Sequence, residues 1–222
     1  MKKVIAQFKN GFTLAEVLIT LVIIGVVAAM TIPTLINNTK KQEYVAGLKK
    51  AYSVLSQAAY KIGQNKGYPV GDYSFFKDVD FIDEFSKVVS TTKKCNNFLD
   101  CFGKNTTGSD TYKSLKNQNM SVYDGKSVIV SDGSMYSFTS SNNVFTKYGI
   151  SAEDESNLLG RILVDVNGHK PPNQMGYDLF AFYLVEYKGI IPAGNLSYTE
   201  CNNTREGWTC ASRVLKENAI NY

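Results

Sequence analysis

Glu16 is the only charged side chain between Phe12 and Ile36, a run apolar enough to cross a bilayer. A lone carboxylate costs about 2.5–3.5 kcal/mol at the centre of a membrane helix and less near its end. Such a group is normally functional, and it needs a partner. A cut between Gly11 and Phe12 would create one: a new α-amine four residues before the carboxylate, on the same helix face. That amine could pair with Glu16 of its own chain or of a neighbour, which offsets part of the burial cost.

A second group of oxygens lies in "DVNGHKPPNQMGYD", residues 165–178. Asp165, Asn167 and Asp178 offer ligands for a hard cation. The pattern is not an EF-hand, because His169 holds the third oxygen position and no glutamate closes the loop. The alternative is a turn whose Asp and Asn side chains bond local backbone. His169 is the only histidine. A Ser-His-Asp site would have to use it, yet no G-x-S-x-G pattern is present. Neither a phosphate loop nor a zinc motif occurs. No residue is assigned a catalytic role, and the chain is not expected to be an enzyme.

The four cysteines fall into two near pairs, Cys95/Cys101 and Cys201/Cys210. Four cysteines allow three connectivities, and the two local bridges are expected here, in an oxidising compartment. Reduced, buried thiols are the alternative. Separations of six and nine residues do not suggest a tetrahedral metal site. The bridges would place the C-terminal region outside the cytoplasm. Lysines flank the apolar run on both sides, so charge alone leaves its orientation open.

The elements that must position these groups follow from periodicity. The apolar run is roughly 25 residues, about 37 Å of helix, against a hydrocarbon core of about 30 Å. It continues past Val27-Ala28-Ala29-Met30, a poor cleavage site for an ordinary secretory signal. From Tyr44 the apolar positions run Tyr44, Leu48, Tyr52, Leu55, Ala59, Ile62, in steps of four and three. One helix from Phe12 to Ile62 is therefore expected, apolar all round in its first half and amphipathic in its second. Gly63 and Gly67-Tyr68-Pro69 should stop it. Pro33 removes a backbone donor, and Gly25 weakens the helix by about 1 kcal/mol. Both mark sites of kinking or local melting. Thr13, Glu16, Thr20, Thr31 and Thr34 share an arc of about 60°. Such a stripe faces other helices, or its threonines bond their own backbone.

Beyond Gly67 the pattern is α+β. Asp80–Val89 reads as a short helix and Lys94–Asn119 as a polar loop. Ser127–Ser140 reads as a hairpin turning at Asp132-Gly133. Arg161–Val166 and Leu179–Tyr187 read as strands, and residues 201–215 as a loop closed by Cys201–Cys210. The N-x-S/T match at Asn105-Thr106-Thr107 is at chance level. Lys2, Lys3 and Lys9 all precede Gly11, and without them the formal charge falls from +4 to +1. Basicity therefore gives no support for nucleic-acid binding.

The segment "KNGFTLAEVLITLVIIGVVAAMTIP" resembles the N-terminus of type IV pilins and type II secretion pseudopilins. The matching features are a short basic leader ending in Gly11, then Phe12, Thr13-Leu14, Glu16 and an apolar helix with Gly25 and Pro33. The resemblance covers roughly residues 1–60. It implies that prepilin peptidase cuts after Gly11 and methylates the Phe12 amine. It further implies that Glu16, with Thr13, takes part in filament assembly by pairing with a neighbour's N-terminus.

The implied organisation is a leader at 1–11, a helix at 12–62 and a globular α+β head at 63–222. In the pilin plan an antiparallel sheet is laid on the helix's second half, with a disulfide-bounded loop near the end. Implied partners are copies of the chain, other pilins, the peptidase, an inner-membrane assembly platform and, before assembly, the lipid bilayer. The implied location is the bacterial inner membrane with the head outside the cytoplasm, then a pilus or pseudopilus in the periplasm or at the cell surface. Because some pseudopilins bind calcium in a loop near the C-terminus, the resemblance makes calcium the candidate ion for Asp165, Asn167 and Asp178. The rival reading is a membrane-tethered periplasmic binding protein or enzyme that keeps its N-terminal anchor.

Overall fold

The computed structural model describes residues 11–103, 112–120, 125–141 and 147–222. Lys2, Lys3, Lys9 and the Asn105-Thr106-Thr107 match lie outside the described residues. Helix α1 spans Leu14–Lys66 and passes through Pro33. The chain divides into two compact units, Met1–Lys40 and Lys41–Tyr222.

In the first unit α1 contains the membrane-length segment, and its most apolar 18-residue window buries nothing. Thr20 Oγ donates to the Val17 carbonyl at 2.9 Å, and Thr31 Oγ to that of Val27 at 3.0 Å. These threonines bond their own backbone, which satisfies their hydroxyls within an apolar stretch.

In the second unit α1 buries Tyr44, Val45, Leu48, Ala51, Leu55, Ala58, Ala59, Ile62 and Gly63. Tyr52 is half-buried and stacks on Phe182, with ring centroids 5.8 Å apart. The helix ends four residues later than Ile62. Gly63 lies inside it, where an added Cβ would come within 3.2 Å of the Phe75 ring. The stop is Gly67, at φ 77°. The Tyr68 amide donates to the Gly63 carbonyl and the Gly67 amide to that of Gln64. This is the Schellman arrangement, and glycine adopts its left-handed position without a Cβ penalty.

The sheet has six antiparallel strands in the order of the chain. They are β1 (Thr91–Cys95), β2 (Lys126–Val130), β3 (Met135–Ser140), β4 (Leu158–Asp165), β5 (Leu179–Val185) and β6 (Gly189–Pro192). The expected α+β class is what forms, with the second half of α1 on an antiparallel sheet. Ile162, Val164, Phe180, Phe182 and Leu184 join α1 and helix α2 (Phe81–Val88) in one apolar core. Leu163, Leu179, Ala181, Tyr183 and Val185 alternate onto the opposite face. There they pack with Phe98 and Phe102 of helix α3 (Phe98–Phe102), and with Tyr112 and Trp208. Because both faces are covered, β4 and β5 are buried at every position.

Several boundaries differ from the sequence expectation. The supposed loop at Lys94–Asn119 contains the end of β1 and α3, the latter capped by Asn97. Strand β6 follows Lys188, and a short helix α4 (Ala152–Ser156) precedes β4. Residues 201–215 are a loop only as far as Cys210, where helix α5 (Cys210–Glu217) begins and buries Cys210, Ala211 and Val214.

Candidate functional site

The junction is built from three residues before α1 and its first turn. Thr13 is the N-cap residue. Its amide and hydroxyl both donate to Glu16 Oε2 at 2.8 Å, and the Glu16 amide donates back to Thr13 Oγ at 3.2 Å. The first intrahelical bond runs from the Val17 amide to the Thr13 carbonyl. This is a capping box, in which an N-cap threonine and a glutamate three positions on satisfy two otherwise orphaned amides. A carboxylate in the first turn also meets the positive end of the helix dipole. Glu16 thus has partners within its own chain, besides the amine expected from a cut at Gly11. The Thr-x-x-Glu spacing ahead of an apolar run was its signal. Both Thr13 bonds end on Oε2. Among the described residues Oε1 accepts no hydrogen bond and stays open to a further donor.

Phe12 is 89% exposed. Gly11 has nothing within 4 Å of a Cβ built on it, and its φ is not in the left-handed region. The fold therefore has no steric need for glycine at position 11. The same holds for Gly25. Reasons for these two glycines lie outside the packing of the single chain.

The structure forms two disulfides, Cys95–Cys101 and Cys201–Cys210. The first ties β1 to α3. The second closes the loop before α5. His169, at the tip of the 165–178 loop, places Nε2 2.7 Å from the Cys101 carbonyl.

The 165–178 loop joins β4 to β5. Asp165 and Asp178 are both fully buried. The Tyr112 hydroxyl donates to Asp165 Oδ2 at 2.5 Å and the Asn167 amide to Oδ1 at 3.1 Å. The amides of Asn173 and Gln174 donate to the two oxygens of Asp178 at 2.8 and 2.7 Å. Burial pushes Asp178 up to about 6. Burial and the neighbouring Asp178 charge push Asp165 well above the usual carboxylate range. Its own burial, with the charges of Asp178, Glu43 and Asp165, holds the Tyr44 phenol up.

No group of three or more His, Cys, Asp or Glu side chains suited to a metal stands together among the described residues. Any ion here would need amide oxygens as well as the two carboxylates. The loop has them: Oδ1 of Asn167 and Oδ1 of Asn173 are sealed from solvent without a hydrogen-bond partner. That donor set is all oxygen and suits a hard cation. Calcium would be held by Asp165, Asn167 and Asp178. It would neutralise the two buried carboxylates.

Compared with known families, residues 7–32 match the model described as the prokaryotic N-terminal methylation motif. The chain carries that motif. It spans residues 7–10, the Gly11-Phe12 pair, the Thr13–Glu16 capping box and the apolar helix through Ile32, and so supports the pilin and pseudopilin resemblance. The methylation motif points to a structural rather than a catalytic protein. Comparisons with curated proteins and with solved structures give no match.

Proposed function

We propose that this chain is a structural subunit of a type IV pilus or type II secretion pseudopilus. It is cut after Gly11 by prepilin peptidase, methylated on the Phe12 amine, and polymerised through α1 with copies of itself and other pilins. The observation that carries the reading is the methylation motif at residues 7–32, seated on an exposed junction and followed by a membrane-length helix. The chemistry follows from the capping box. Glu16 Oε2 serves the subunit's own helix start, and Oε1 can accept a hydrogen bond from a neighbour's N-terminal ammonium. In a low-dielectric surrounding that ion pair is far stronger than in water.

Before assembly the apolar half of α1 holds the subunit in the inner membrane, with the disulfide-bonded head outside the cytoplasm. Pro33 and Gly25 let that half loosen as the subunit enters the filament. The assembly platform supplies the partners at the base. The rival, a tethered periplasmic protein, has no use for a Gly11-Phe12 junction and would need Glu16 only to cap its helix.

Intact mass and N-terminal peptide mapping of the protein purified from its own membranes test the reading. The expected species starts at Phe12, carries one methyl group and retains two disulfides. A protein that begins at Met1, or is cut near Ala29, would overturn it.

A further inference from the structure

We infer that residues 218–222 form a strap that latches the first packed turns of α1, so that those turns open and close as a unit separate from the rest of the head. This goes beyond the filament reading and does not rest on it.

The first argument is how weakly this stretch of α1 is made. Asn37, Asn38 and Thr39 are poor helix formers, and Gly47 lies among the packed turns. Glycine is required there, because a Cβ at Gly47 would stand 2.9 Å from that of Val166, just past the end of β4. Close packing therefore weakens the helix where it packs. Burial also deepens along the helix. Tyr44 and Val45 keep 6% and 7% of their surface, whereas Leu55, Ala59 and Ile62 keep at most 1%. Propensity does not hold residues 41–49 in place, so tertiary contacts must.

The second argument is where those contacts come from. Lys41 Nζ donates to the Ile220 carbonyl at 3.1 Å, and Lys49 Nζ to Asn218 Oδ1 at 2.5 Å. Just over two helical turns separate the lysines, and both reach one short segment. Asn218 ends α5 in the left-handed conformation, at φ 55°. A cation at that position meets the negative end of the α5 dipole. Ile220, between the two lysine contacts and Tyr222, is buried in the same apolar core as Tyr44, Val45 and Leu48.

The third argument is that the segment is fixed at both ends. At its root, Arg213 of α5 donates from Nη1 to the Cys201 carbonyl at 2.6 Å, beside the bridge to Cys210. The same guanidinium lies 5.2 Å over the Tyr222 ring. At the far end the Tyr222 hydroxyl donates to the Gly176 carbonyl, and the Tyr177 hydroxyl to the Tyr222 carbonyl at 3.3 Å. The two rings meet edge to face with centroids 6.0 Å apart. The segment thus runs from α5 past two lysines of α1 to the loop before β5. A segment anchored on either side of its contacts acts on α1 as one piece. The Lys49 bond is solvent-exposed, and segments held by exposed hydrogen bonds open ahead of the core.

The test is amide hydrogen exchange of the full-length protein in detergent, read at residues 44–49, at residues 55–62 and in β5. In wild type, residues 44–49 should exchange faster than 55–62. Lys41→Met with Lys49→Met keeps both aliphatic stems and removes both donors. Exchange at 44–49 should then quicken about tenfold, as for two lost hydrogen bonds, with 55–62 and β5 unchanged. Tyr222→Phe deletes a hydroxyl whose partner, Gly176, lies outside α1. It should still quicken residues 44–49, about threefold. Unchanged exchange at 44–49 in the double lysine variant overturns the latch. Exchange at the wild-type rate there in Tyr222→Phe would make the lysine bonds two separate contacts and overturn the strap. Equal quickening throughout the head would make these turns part of the global core and overturn the separate unit.

Discussion

Thr13 and Glu16 bond one another in both directions at the start of α1, with the threonine capping the glutamate's amide and the carboxylate capping the threonine's. The one charged side chain of the apolar run is therefore already half-satisfied within its own chain. On the proposed filament reading, a subunit in the membrane would not carry a wholly unpartnered carboxylate, and a neighbour's amine would only add to an existing arrangement.

The first prediction concerns that cap. Thr13→Ala removes the one hydroxyl that both accepts from the Glu16 amide and donates to its carboxylate. Losing an N-cap costs about 1 kcal/mol. Amide hydrogen exchange in detergent should quicken about fivefold at Glu16 and Val17, with no change in the head. Thr13→Ser should exchange like wild type. Equal exchange in Thr13→Ala would show that the cap contributes nothing to the helix start.

The second prediction contrasts two glycines. A Cβ at Gly160 would stand 2.4 Å from the Phe138 ring and 2.6 Å from the Thr139 carbonyl, backbone that cannot step aside. Gly160→Ala should cost about 1–3 kcal/mol in urea unfolding, as overpacking does. A Cβ at Gly25 meets nothing within 4 Å. Gly25→Ala should stiffen the apolar helix by up to about 1 kcal/mol and leave the head's unfolding unchanged. If loosening there serves assembly, filament yield falls although the subunit is no less stable. A destabilised head in Gly25→Ala would contradict the separation of the two effects.

The third prediction concerns the bridge that closes residues 201–210. Both sulfurs are buried, and the loop ends where α5 begins. A nine-residue separation gives a loop-closure contribution of about 2–3 kcal/mol. The double substitution Cys201→Ala with Cys210→Ala should lower the head's stability by that amount in guanidinium unfolding. A loss below about 0.5 kcal/mol would mean that α5 and its packing already hold the loop closed in the unfolded ensemble.

What the sequence disclosed follows the strength of its periodicity. The steps from Tyr44 to Ile62 fixed the buried face of α1, and Asp132-Gly133 marked the turn between β2 and β3. Strand β1 reads Thr-Thr-Lys-Lys-Cys and lies at a sheet edge, so no apolar alternation announces it. Its lysines are what an edge strand carries against unwanted pairing. Strand β6 has four residues and ends in Pro192, which an edge tolerates and a sequence reader takes for a stop. Helix α5 was hidden because Cys210 both closes a loop and opens a helix. At the junction, Gly11, Phe12 and Glu16 stood out by residue type. The reciprocal bond to Thr13 was legible only in the Thr-x-x-Glu spacing and not in residue type. In the 165–178 loop Asn173 carried no signal.

The last prediction separates the two services of Glu16. Glu16→Gln keeps an acceptor at the third helical position, and glutamine serves a capping box as glutamate does. It loses only the charge. Glu16→Ala loses both. Neither change touches Gly11 or Phe12, so cleavage should proceed in each, and insertion should improve as a charge leaves the apolar run. The head lies in a separate compact unit and should fold normally. If the carboxylate recruits subunits through an ionic bond to a neighbouring amine, both variants fail to assemble, Ala more completely. Only Ala should also show the faster exchange of an uncapped helix. The measurement is a shearing assay for filaments beside an immunoblot of cleaved subunit in the membrane fraction, with each variant expressed alone. Normal filaments from Glu16→Ala would mean that the carboxylate is not the assembly group. Normal filaments from Glu16→Gln with none from Glu16→Ala would mean that the cap, and not the charge, is what assembly requires.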